Sequence, residues 1–149
     1  MEDLITVALQ NIRVANMLPA VSANGAGFST TGVDSVALGV KSDYATIIVN
    51  LGAMASALTV LKLTDSDDNS TYGDVTGFIG GTDFTLPSAT DDNKFVVFQV
   101  DMRKRKRYLK IEATAGVGAI LMSVTCVFSR GKIGTNSAAD SGALALVIG

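Results

Sequence analysis

Few side chains in this 149-residue chain are able to do chemistry, and the commonest one is missing: there is no histidine and a single cysteine, Cys126. That removes the usual general base, the usual transition-metal ligand and the usual activator of a serine or cysteine nucleophile. One cysteine also excludes an internal disulfide and a cysteine zinc cluster. Cys126 falls on the apolar side of an alternating run, where a free thiol behaves as a small hydrophobe with a raised pKa, so it is expected to be inert.

What remains are acids, a block of bases and some glycines. Asp65-Ser66-Asp67-Asp68-Asn69 resembles the opening of a calcium loop, but Ser70 stands where the sharp turn wants glycine and Thr76 where a bidentate glutamate should close the site. A turn capped by its own Asp and Asn side chains explains the segment better. Asp91 and Asp92, near Asn93, read as loop acids before a strand. Gly77, Gly80 and Gly81 lack the strand-to-helix context and the lysine of a phosphate cradle, and turns account for them. The strongest charge feature is Arg103-Lys104-Arg105-Lys106-Arg107, five adjacent cations suited to an acidic protein surface or to phosphates. Only Tyr108 supplies an adjoining aromatic ring, so specific nucleic-acid binding is not expected. No metal, no cofactor and no catalytic residue is nominated, and the chain reads as a non-enzyme.

Composition narrows the classes further. Hydrophobic residues make up 48% and charged residues 17%, which is globular and far from disordered. No stretch approaches the roughly 20 apolar residues of a membrane-spanning helix. Met1-Glu2-Asp3 lacks the positive opening of an export signal, so a cytoplasmic protein is expected. A net charge of −2 provides no general attraction to nucleic acid or anionic lipid.

These residues sit on elements that read as strands. Ile120, Met122, Val124, Cys126 and Phe128 alternate with Leu121, Ser123, Thr125 and Val127; Leu109, Ile111 and Ala113 alternate with Tyr108, Lys110, Glu112 and Thr114. Gly116-Val117-Gly118 between them predicts a hairpin. Val96, Phe98, Val100 and Met102 alternate with Phe95, Val97, Gln99 and Asp101, giving three consecutive antiparallel strands with the basic run at an exposed tip. Ala45 to Leu51 and Ala57 to Leu63 predict another hairpin around Gly52, and shorter strands are expected at Tyr72 to Ile79 and Thr82 to Leu86, ending at Pro87. Short strands separated by polar turns favour an all-β fold: a β-sandwich, with a jelly-roll-like arrangement among those that fit. The sandwich is expected over 41–130. Residues 1–40 are expected to add a strand or arm to the same unit, and 131–149 a C-terminal arm or edge strand. Each arm either completes its own sheet or reaches a neighbouring subunit. The candidate interaction residues are therefore Arg103, Lys104, Arg105, Lys106 and Arg107, with Leu144, Leu146, Val147 and Ile148 of the C-terminal segment. Neutralising the first group should weaken assembly mainly at low salt, and deleting Ala143 to Gly149 at all salts.

In order along the chain, Leu61-Lys62-Leu63-Thr64-Asp65-Ser66-Asp67-Asp68-Asn69-Ser70-Thr71-Tyr72, Asp74-Val75-Thr76-Gly77, Asp91-Asp92-Asn93-Lys94 and Arg105-Lys106-Arg107-Tyr108-Leu109-Lys110-Ile111 resemble small structural proteins of tailed bacteriophages, the capsid decoration or cement family. The resemblance spans Ala45 to Phe128, and Asn69 departs from it where similar proteins often carry glycine. It implies a homo-oligomer, often a trimer, that binds the major capsid protein on the outside of the mature virion after assembly in the host cytoplasm. Another virion part, in the neck or tail, fits the same pattern. A carbohydrate-binding β-sandwich is the alternative of a different class, although the chain has no tryptophan and only three tyrosines for stacking sugars.

Overall fold

Alternation of apolar and polar residues selects the strands, and two sheets pack their apolar faces together. The structure is a computed structural model, and it describes residues 12–130 and 138–149. Among the described residues eleven strands run in order: β1 (Ile12–Asn24), β2 (Val33–Asp34), β3 (Val36–Ala37), β4 (Val40–Lys41), β5 (Tyr44–Met54), β6 (Leu58–Ser66), β7 (Gly73–Ile79), β8 (Phe95–Asp101), β9 (Tyr108–Ala115), β10 (Ala119–Ser129) and β11 (Ala145–Ile148). A 3-10 turn at Met102–Lys104 and a four-residue helical turn, α1 (Ala138–Ser141), are the helical pieces described. Neither is long and apolar enough to cross a membrane.

One sheet has the order β1-β10-β5-β8-β11 and the other β2-β9-β6-β7, with β3 and β4 a separate hairpin. Apart from β11, which is parallel to β8, every pairing is antiparallel. The chain passes from one sheet to the other at nearly every connection, and among the sandwich strands only β6 and β7 form a local hairpin. Four strands in each sheet, nested in this order, make a jelly roll closed on one edge by β11.

The expected inner faces are where the sequence puts them. Leu109, Ile111 and Ala113 are buried, as are Ile120, Met122, Val124, Cys126 and Phe128, and Val96, Phe98, Val100 and Met102. Phe98 sits at the centre, with Phe78 from the opposite sheet and Phe84 from a loop edge-on at 5.7 and 5.5 Å. Each such ring removed from water contributes on the order of 1.5–3 kcal/mol.

The strand partners differ from expectation. β8, β9 and β10 are not three neighbours in one sheet: β9 lies in the second sheet, and β8 and β10 flank β5 in the first. The predicted hairpins at Gly52 and Gly116–Gly118 are sheet-to-sheet crossovers. Gly52 lies inside β5, where a Cβ would come 2.9 Å from the Leu121 side chain. Gly118, at φ +136°, lets the 116–118 crossover pass against the carbonyl of Ala55 in the 55–57 crossover. An apolar alternation specifies which face turns inward and is the same for a hairpin and for a crossover, which is why the partners were misread. Thr82 to Leu86 is a turn with a single bridge from Gly80 to Phe84, not a strand. Asp83 Oδ2 accepts from the Ile79 N–H and closes that turn.

Among the described residues, both ends supply edge strands to the five-stranded sheet. β1 pairs with β10 along Ile12 to Asn24, with bulges around Asn16, Leu18 and Val21, and β11 pairs with β8. The parts of both arms that fall in 1–11 and 131–137 lie outside the described residues.

Candidate interaction surfaces

The basic run connects β8 to β9, and it is a crossover instead of a hairpin tip. It begins where the Asp101 side chain caps the 3-10 turn by accepting from the Arg103 N–H. Arg103 then forks back onto the same carboxylate at 2.9 and 2.8 Å and lies over the Tyr44 ring. That guanidinium lowers the Asp101 carboxyl to about 2. Arg107 forks onto Asp34 at 2.9 and 2.7 Å, holding its carboxyl below the usual range and tying β2 to the start of β9. Lys106 donates its N–H to Asp65, and its ammonium stands 3.9 Å from Asp67. Three of the five cations are thus matched within the chain. Lys104 carries no ion pair among the described residues and adds only to the field at Asp101. Arg105 turns its guanidinium toward Phe78, 6.0 Å away, and its buried Nε has no hydrogen-bond partner there. The run is less a free cationic patch than a strap pinned by acids from three other segments.

The C-terminal candidates divide between the two faces of β11. Val147 is buried in the core beside the partly buried Leu144, whose N–H donates to Phe95 O. Leu146 and Ile148 project from the other side, next to Val97 and Gln99 in register. Beyond them the Gly149 carbonyl accepts from the Asp101 N–H. The fold therefore brings the basic run and the C-terminal strand, 40 residues apart in sequence, to the two sides of one cavity of about 250 Å³. Its wall includes Tyr44, Thr46, Arg103, Lys104, Ile148 and Gly149.

The outer face of the five-stranded sheet is a surface that strand-by-strand reading missed. Register places Val14, Val127, Thr46, Gln99 and Ile148 in one row across all five strands. Asn16, Thr125, Ile48, Val97 and Leu146 form the next. None of these ten residues is charged; Val14 and Ile148, on the two edge strands, are 65% and 62% exposed, whereas Val97 and Gln99 on β8 are buried and most of the others are half-buried. Exposed sheets normally carry charge to discourage association. The signal was present as the lack of Asp, Glu, Lys and Arg at alternate positions of four strands, but it forms a surface only once the strand order is known.

The remaining candidates serve the loops. Asp68 accepts from Ser66 Oγ and from the Ser70 and Thr71 N–H groups at 2.8–2.9 Å, which holds its carboxyl well below the usual range, and Asn69 takes φ +58° and bonds the Tyr72 hydroxyl. This is the self-capped turn expected of the segment. Asp91 accepts from the Ser88 N–H and Lys94, and Asp92 from the Met54 N–H. Among the described residues no three acidic or cysteine side chains form a group able to hold a metal ion. Burial pushes the Cys126 thiol up to about 12. Comparison with protein-family models, with curated proteins and with solved structures finds no match.

Proposed function

We propose that this chain is a structural virion protein that binds and stabilises the mature capsid of a tailed bacteriophage as a decoration or cement protein. The uncharged outer face of the five-stranded sheet is the observation that carries the reading. A monomer free in solution gains nothing from leaving the exposed and half-buried members of these two uncharged rows in water, whereas an assembly partner buries them at a gain of roughly 25 cal/mol per Å² of apolar surface. The motif resemblance over Ala45 to Phe128 supplies the particle, and the jelly roll suits it, being an architecture that capsid proteins use along with lectins and cupins. The work done is adhesion: a protein that binds the mature lattice better than its precursor stabilises it by mass action, and many symmetric copies multiply a modest contact.

The test is the copy number of this chain relative to the major shell protein in purified particles from its source. A ratio near one is expected. A handful of copies per particle would place it in the neck or tail, and its absence would overturn the virion reading.

A further inference from the structure

Register carries the outer face of the five-stranded sheet one row beyond Val14, Val127, Thr46, Gln99 and Ile148. Ile12, Ser129, Tyr44 and Asp101 lie in that further row, on the same side. Tyr44 and Asp101 from it, with Thr46, Gln99 and Ile148 from the uncharged row, line the cavity of about 250 Å³ that Arg103 and Lys104 close from the strap. The cavity is therefore part of the outer face, at the end nearest the strap.

Its charges do not balance. Asp101 is already matched, because Arg103 forks onto both carboxylate oxygens and covers the Tyr44 ring at 5.2 Å. Asp43 acts on Arg103 only through its field and does not line the cavity. Lys104 lines the same wall, is exposed and makes no ion pair among the described residues. Its ammonium is the charge left over. On the outer face of the other sheet the reverse holds: Lys62 stands 2.7 Å from Asp74 and 3.4 Å from Glu112, so its charge is matched within the chain.

The donors specify what the cavity takes. With the Arg103 fork occupied, one compact point charge remains, which balances a single carboxylate and under-matches a phosphate dianion. The Tyr44 ring and Ile148 give the stem of an acidic side chain an apolar wall, and the uncharged rows beside it suit the rest of a protein surface better than a small anion. We propose that the cavity receives an aspartate or glutamate side chain of the shell protein, paired with Lys104, and that this contact sets where on the lattice the uncharged face docks. An uncharged face adheres in many registers, whereas one matched charge penalises every register that leaves Lys104 unpaired. The inference rests on the capsid reading and adds the partner's chemistry to it.

A carbodiimide, which condenses an amine and a touching carboxylate into an amide, tests it on purified particles. Mass spectrometry should find Lys104 joined to an acidic residue of the shell protein. On particles stripped of this chain, Lys104→Gln should bind about tenfold more weakly at low salt, and Lys104→Arg nearly as the native chain does. Lys106→Gln, the same loss of charge at a cation that has Asp67 beside it, should bind as the native chain does. Melting curves confirm the fold of each variant. Absence of the chain from particles would overturn the capsid reading and this inference with it. A chain present in particles whose Lys104 joins only another copy or nothing, or whose Lys104→Gln and Lys106→Gln variants bind alike, would overturn this inference alone.

Discussion

Leu38 and the cations of the crossover show how differently exposed residues of similar appearance behave. With φ at +51° and no contacts to lose, Leu38→Asn should raise the stability of the isolated chain by about 1 kcal/mol, read as a higher denaturant midpoint at unchanged slope. Arg107 and Lys104 make the opposite pair. The first forks onto Asp34 and holds β2, while the second has no ion pair among the described residues. Arg107→Ala should lower the midpoint and Lys104→Ala should leave it where it is. Equal effects would show that the run acts as undifferentiated surface charge. Composition and adjacency made all five cations look alike, because the acids that match Lys106 and Arg107 come from segments distant in sequence, Asp65 and Asp67 for the first and Asp34 for the second.

Among the elements, β11 is the most informative because its two sides have separate roles. Val147 faces the core and Ile148 faces out, so aspartate at the first should cost 2 kcal/mol or more through a buried charge, and aspartate at the second should leave the melting temperature almost unchanged. Truncation of Ala143 to Gly149 mixes the two effects. It removes the edge strand of the sheet and also uncovers Phe78, which lies against Gly149. Point changes on the outer side therefore separate adhesion from folding where the truncation cannot. The apolar character of Leu146 and Ile148 was legible in the sequence. Their being set apart from Val147 required the parallel pairing with β8, which no local pattern announces.

For the molecule as a whole, the titrating groups set an acid limit. Asp34, Asp68, Asp91 and Asp101 all have carboxyls lowered by hydrogen bonds or guanidinium and ammonium partners, so each binds its proton more weakly folded than unfolded. Their contribution is complete above the unfolded value of about 3.9 and is lost as pH falls through the folded values, near 2 for Asp101. Melting temperatures should be level from pH 7 to 5 and fall below pH 4. Asp101→Asn, which gives up its charged pairing at every pH, should lower the plateau and flatten the fall. A melting temperature that rises on acidification would contradict the assignment.

In the strongly alternating segments, strand existence and facing were determined by the amino-acid order alone, because a pleated strand sends successive side chains to opposite sides and the apolar set must leave water. The alternations of Leu109 to Ala113 and Ile120 to Phe128 left little freedom, and the lack of histidine narrowed the chemistry. Which strand lies beside which was decided only by the tertiary structure. β9 and β10 are joined by three residues yet lie in opposite sheets, since two apolar faces pack against each other as readily across the sandwich as side by side within a sheet. The uncharged outer face, the pinned basic strap and the cavity between Tyr44 and Ile148 all follow from that decision, for each is assembled from residues that meet only after the sheets have closed.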